Sequence, residues 1–178
     1  DIHINGMEGP YTLILIDGMP IVSGLSTVYG LMGIPASMIE RMEIAKGPAG
    51  ALYGSESMGG TINVITKKIS HAPKFYLDYY ATSYLENNLD LSAKFKLSKK
   101  VNYLIGMNTY WYDHKKDIND DGFTDVTMQK RISLFNKFSV ERKHDKEFTI
   151  GARYVYEDRW GGQMNYEDKF RGGDSIYG

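Results

Sequence analysis

Residues 39–67 read IERMEIAKGPAGALYGSESMGGTINVITK, and the fold turns on this stretch. Residues 41–45 alternate, with Met42 and Ile44 on one side and Arg41 and Glu43 on the other. That period of two predicts a half-buried strand. Gly47-Pro48 ends it, and Pro48 suits a first helical position, where a missing N–H costs nothing. Residues 49–53 have room for about one helical turn, and Gly54 suits the left-handed position that follows one. Residues 55–60 form a polar, glycine-bearing loop. Residues 61–66, TINVIT, are rich in β-branched side chains and predict a second strand.

Upstream, residues 13–21 read LILIDGMPI, an apolar strand broken by Asp17-Gly18. Both residue types tolerate positive φ, so a two-residue hairpin turn is expected, with residues 19–22 returning. Together the two stretches resemble the plug domain of TonB-dependent outer-membrane receptors. That family carries hydrophobic-Asp-Gly-hydrophobic, then Arg-Gly-Pro, a small-residue turn ending in Tyr-Gly, and Gly-Gly before an Ile-Asn-rich strand. Asp17, Gly18, Arg41, Glu43, Lys46, Gly47, Pro48, Tyr53, Gly54, Gly59, Gly60 and Asn63 carry the resemblance, as structural motif residues. It covers residues 11–68. Lys46 departs from it: the family usually has arginine there, so a planar fork is replaced by a point charge.

Outside this core, residues 23–33 form a loop with three glycines, and Pro35 opens a short helix through Ile39. Residues 1–68 are therefore expected to form a small α/β unit, with too little chain to bury a good core alone. A linker follows at 69–73. Composition then changes, because most of the fourteen tyrosines lie after residue 72. Period-two alternation runs through 75–82, 89–97, 101–108, 131–140 and 148–155, giving five strands of about the length a tilted transmembrane strand requires. The connections at 98–100 and 144–146 are short, while 113–126 and the run from 161 onward are long. Short turns at one end and long loops at the other are the outer-membrane barrel pattern, from which the short 86–88 connection departs. Tyr110, Trp111, Tyr112 and Trp160 are expected in an aromatic girdle. Odd positions of 75–81, 89–97 and 101–107, and even positions of 132–140 and 148–154, are expected to face lipid, because a turn of different length switches the apolar set.

The chain has 178 residues, no cysteine and a net charge of −1. The balanced charge argues against a nucleic-acid partner. Lack of cysteine excludes disulfide frameworks and the common thiolate metal sites. No window approaches the ~20 apolar residues of a membrane helix, and the first ten residues lack a leader pattern, so no signal peptide is expected among them.

The candidate chemical motifs are incomplete. Residues 54–61 imitate a phosphate loop, but Gly60 stands where its lysine belongs. Ser55 and Ser57 lack the flanking glycines of a nucleophile elbow. Asp117, Asn119 and Asp121 before Gly122 form the first half of a calcium loop, yet the closing glutamate position is Met128, so only weak calcium binding is expected. The histidines His3, His71, His114 and His144 are scattered without zinc-like spacing. Arg41 and Glu43 share a strand face that either meets charged wall side chains or is simply solvated.

The expected fold is an α+β plug fragment (1–68), a linker (69–73), and the first five strands of an antiparallel transmembrane β-barrel (74–178), left incomplete. The resemblance implies energised import of a scarce nutrient, a ferric siderophore, haem or cobalamin, across the Gram-negative outer membrane. It implies as partners the lipid bilayer, a small nutrient ligand, and a TonB-like protein pulling on an N-terminal segment absent from this sequence. No cofactor is implied, and the work is binding and gated release rather than catalysis. The alternative is a soluble periplasmic β-rich interaction or adhesion module.

Overall fold

The computed structural model describes residues 4–7, 11–21, 31–48, 57–142, 146–173 and 176. Two sheets account for nearly all regular structure. The first has the order β2-β1-β4-β3, built from β1 (Thr12–Ile16), β2 (Met19–Pro20), β3 (Ile39–Lys46) and β4 (Gly60–Thr66). The second is a strictly sequential antiparallel sheet of β5 (Phe75–Ala81), β6 (Asn87–Lys96), β7 (Val101–Tyr112), β8 (Met128–Glu141) and β9 (Glu147–Trp160).

In the first sheet the β-branched strand β4 lies centrally. It runs parallel to β1, with Ile14 opposite Ile62, and antiparallel to β3, with Glu43 opposite Asn63. The parallel pairing was not foreseen from sequence, because it joins residues far apart in the chain. The Asp17-Gly18 turn has φ of 51° and 79°, and it pairs Ile16 with Met19, the two-residue hairpin expected for Asp-Gly. The return strand is shorter than expected, ending at Pro20. The helix expected from Pro35 is a 3-10 turn, Ala36–Met38, opened by Pro35.

β3 corrects one expectation. It is an edge strand, and both its apolar Met42 and Ile44 and its charged Arg41 and Glu43 are exposed. Period two reports which residues share a face, but not whether anything covers that face. The turn expected at 49–53, with Tyr53 and Gly54, lies outside the described residues, as do 22–30, His3 and His144.

β7, β8 and β9 run 12, 14 and 14 residues, longer than the alternation suggested. The register divides the sheet as the expected parity requires. One face carries Leu77, Leu91, Met107, Leu134 and Tyr154 in a row across five strands. The other carries Asp78, Asp90, Asn108, Ser133 and Val155. The apolar face is largely open, with Phe75, Leu77, Phe95, Ile150 and Tyr156 exposed. The polar face meets the 33–38 segment and residues 66–72, and Asp90, Ser92, Asn108, Ser133, Lys137 and Ser139 are buried. The girdle needs correction. Tyr110 and Tyr112 lie on the polar face, where Tyr110 donates to Glu86 and Tyr112 is buried. Of that triplet only Trp111 points outward, stacked 6.3 Å from Tyr79. Three consecutive strand residues cannot share a face. A second outward aromatic row, Phe95, Tyr103 and Phe138, stacks toward the opposite end of the sheet.

The core between the sheets gathers Met38, Ile69, Ala72, Leu104 and Phe135. Ile69 and Ala72 belong to the stretch expected to be a plain linker, and both are buried.

Candidate functional site

The residues of interest lie where the small sheet meets the polar face of the large one. Asp17 is the centre of the contact. Its two carboxylate oxygens accept from the Thr66 backbone N–H at 2.7 Å and the Thr66 hydroxyl at 2.5 Å. Asp17 thus ties the β1–β2 turn to the end of β4, two segments that are distant in sequence. The next residue continues the network. Gly18 N–H donates to Asn63 Oδ1 at 3.0 Å, the Asn63 amide donates to Glu43 at 3.4 Å, and Glu43 pairs with Arg41 at 2.7 Å. Five motif residues therefore form one polar line from the β1–β2 turn through β4 to β3. Arg41 also lies 3.6 Å from Glu40, and its side chain is exposed, so the Arg41–Glu43 face is occupied by its own neighbours.

Lys46, Gly47, Gly59 and Gly60 close the other end of this sheet. Lys46 pairs with Gly60, Gly47 N–H donates to the Gly59 carbonyl, and Gly59 N–H donates to the Tyr11 carbonyl at 2.8 Å. Gly60 has a φ of 152°, and a Cβ there would stand 2.5 Å from the Ala45 carbonyl oxygen. Gly59 is crowded rather than left-handed: a Cβ would meet Tyr11 O at 3.1 Å and Ile4 O at 3.3 Å. Pro48 follows the end of β3.

Sequence reasoning missed the large sheet's half of the contact. On β8, Lys137 reaches across to Thr66 Oγ1 at 2.6 Å, the Lys67 carbonyl at 3.2 Å and Asp17 at 3.5 Å. On β6, the Ser92 hydroxyl accepts from Ser37 at 2.8 Å. On β7, Gly106 admits Met38, whose sulfur would lie 2.2 Å from a Cβ at that position. The signal available in sequence was polar or small residues at even positions of β6 and β7 and odd positions of β8, but alternation alone named no partner.

Further along the polar face lie Arg131, Arg153 and Arg159. Arg153 donates to the Met32 carbonyl, Arg131 donates to Asn108 Oδ1 at 3.3 Å, and Arg159 pairs with Glu157 at 3.0 Å. Gly33, with a φ of 74°, sits so close to Ser133 that its Cβ would be 2.8 Å from that of Ser133. A cleft of about 1010 Å³ opens between the β1–β2 turn and β8–β9, lined by Ile16, Asp17, Met19, Lys137, Arg153 and Glu157 among others.

The two long connections lie together at one end. Thr124 N–H donates to the Gly162 carbonyl, and Met164 N–H to the Gly122 carbonyl, both at 2.8 Å. Lys115 donates to the carbonyls of Met164 and Tyr166, and Tyr166 packs on Trp160 with ring centres 4.6 Å apart. The Asp117, Asn119 and Asp121 oxygens turn toward their own loop. Asp117 accepts from the Asp121 and Gly122 N–H groups, Asn119 bonds Asp121, and Asp121 accepts from Phe123 N–H at 2.8 Å. Among the described residues, no group of three or more His, Asp or Glu side chains is arranged to hold a metal. Outside the strands, the hydrogen bond and charge of Lys169 hold the Glu167 carboxyl below its usual range.

Comparison with known proteins extends this picture. Residues 1–61 match the family model for the TonB-dependent receptor plug domain. The chain is 41% identical over 91 residues to a probable TonB-dependent siderophore receptor, PirA, of Acinetobacter baumannii, a match covering 46% of this chain and 12% of that protein. It is 33% identical over 145 residues to the ferric enterobactin receptor PirA of Pseudomonas aeruginosa, covering 74% of this chain and 19% of that protein. The chain thus spans less than a fifth of either relative's length. Among solved structures, the siderophore receptor PiuA of A. baumannii superposes with a TM-score of 0.64 at 17% identity, over 88% of this chain and 20% of that one, which shows a shared fold.

Proposed function

We propose that this chain, which belongs to the TonB-dependent receptors, forms part of a plug and its surrounding wall in a receptor that imports a ferric siderophore across the Gram-negative outer membrane. In this reading the small sheet is plug, and β5–β9 are wall strands with lipid on the apolar face. The observation that carries it is the two-sidedness of the large sheet. Its buried side is the polar one, and its open side carries Phe75, Leu77, Phe95, Ile150 and Tyr156. In water that arrangement is inverted; in a bilayer it is the arrangement of a barrel wall. A soluble periplasmic module would have to cover the same apolar rows with something else. Five strands make an open sheet, and plugged transporters of this architecture close with about 22.

The two curated relatives support the siderophore. The inner-wall arginines Arg131, Arg153 and Arg159 suit it chemically, since they place cationic donors on the inner face, where an anionic iron complex would pass. The work is binding and gated release, driven by a TonB-like partner. No bond making is assigned to any residue. The Asp117–Gly122 loop is assigned to the extracellular side, and calcium there would bind weakly, lacking a bidentate glutamate.

The test is growth under iron limitation. A strain lacking the full-length receptor should fail to grow on a panel of ferric siderophores, ferric enterobactin among them, and should recover with the gene restored. Unimpaired growth on every siderophore, with unaltered uptake of labelled iron, would overturn the assignment.

A further inference from the structure

Lys137 projects from the wall, yet its side chain is only 9% exposed. An ammonium has three protons to place, and the three oxygens it meets, on Thr66, Lys67 and Asp17, all belong to the plug side. The Thr66 hydroxyl joins the pair by donating to the same Asp17 oxygen that faces Lys137. Withdrawing the β1–β2 turn would leave a buried cation unpaired, which is costly unless water replaces the lost oxygens. Water can do so here, because Asp17 and Lys137 both line the cleft beside β8 and β9. At the 36–38 turn the contact offers no such exchange. There Met38 and Leu104 are fully buried in an apolar cluster, Met38 fills the space above Gly106, and Ser37 bonds Ser92 in a buried position.

We propose that Lys137, Asp17 and Thr66 form a latch, and that transport breaks this contact. The latch releases the β1–β2 turn into the cleft by exchanging plug oxygens for water, while the 36–38 turn stays seated on β6 and β7. The proposal rests on the import reading above and adds a route and a gating residue to it.

Two experiments on the full-length receptor in outer membranes test it. Ser37→Cys with Ser92→Cys places a thiol pair where two hydroxyls now touch, and residues 1–178 hold no other cysteine. With the bridge oxidised, ferric enterobactin uptake should stay within about two-fold of the reduced form, because that contact need not move. Loss of uptake with ligand binding retained would overturn the proposal. Separately, Lys137→Met should raise ligand-independent entry of a glycopeptide antibiotic too large for general porins by about ten-fold, and Lys137→Arg should restore most of the barrier. If Lys137→Met fails to assemble, Thr66→Val, which keeps both charges, should leak in the same sense. Assembled variants as impermeable as wild type would sink the latch. Failure of the wild-type receptor to import any ferric siderophore would instead count against the import reading, and the antibiotic measurement would still read the latch.

Discussion

Gly60 and Gly106 are both required for close approach, but they differ in what they approach. A Cβ at Gly60 would meet the backbone oxygen of Ala45, which is fixed by the β3–β4 ladder, at a φ that side chains rarely adopt. A Cβ at Gly106 would meet the sulfur of Met38, a flexible chain held in a closed core, and the Pro35 ring at 3.0 Å. Gly60→Ala should therefore cost about 1–3 kcal/mol through backbone strain. Gly106→Ala should cost less, within the lower part of the roughly 1–3 kcal/mol typical of overpacking. Thermal unfolding of the full-length receptor in detergent reads both. Gly59→Ala belongs with them, as a plug-stability defect that leaves siderophore affinity intact. A Gly59→Ala receptor as stable as wild type but unable to bind would place that glycine at the ligand instead. Residue-scale requirements of this kind were half legible. A glycine cluster before a β-branched strand announces special backbone, whereas Gly106 sits in an ordinary alternating strand, and nothing local marks it.

The strands carry the next prediction. Ile105 and Ile150 lie on the outward apolar face, on β7 and β9. Arginine at either should cost about 2–4 kcal/mol if lipid lies there, measured by unfolding in lipid vesicles. Asn102, on the inner face and bonded to Glu141, is the proper control and should tolerate arginine with little loss. Ser133, on the same inner face, looks equivalent in the pattern but is not. It is wholly buried under Gly33, so arginine there should displace the turn at Gly33. Equal losses at Ile105, Ile150 and Asn102 would defeat the two-face assignment. The 113–127 loop behaves as an element too, because its Asp117 and Asp121 carboxylates cap its own backbone and its Gly122 carbonyl holds Met164. Asp117→Ala should make this loop more sensitive to protease. Calcium should protect it only near the ~10⁻⁴–10⁻³ M range of extracellular modules. No protection at millimolar calcium, or protection unchanged by Asp117→Ala, would leave the loop as a self-capped turn.

For the molecule as a whole, the open apolar face of β5–β9 sets the behaviour. The receptor should partition with membranes, require detergent for a monodisperse state, and migrate faster in unheated than in boiled electrophoresis samples, as closed barrels do. A monomer soluble without detergent would return the soluble interaction module to first place. The plug adds to this scale through its docking. Met38 packs with Leu104 of β7 and Phe135 of β8 in an apolar cluster, while the β1–β2 turn is held by the charged contact at Lys137, so the two contacts should respond differently to any pull on the plug.

The sequence by itself located the strands, the alternation of their two faces and the Asp17-Gly18 turn, because period two, β-branching and Asp-Gly are local properties of the chain. It also exposed the plug motif in 11–68, since that motif is a linear string. Tertiary structure alone decided which of those faces is covered. Met42 and Ile44 alternate as well as any buried pair, yet they sit on an exposed edge strand, while Ile69 and Ala72 of the expected linker fill the core. It also decided the partners. Asp17 was legible as a turn residue, but its bonds run to Thr66 and Lys137, which lie far along the chain. Burial and long-range pairing depend on which surfaces meet in space, and no local period records that.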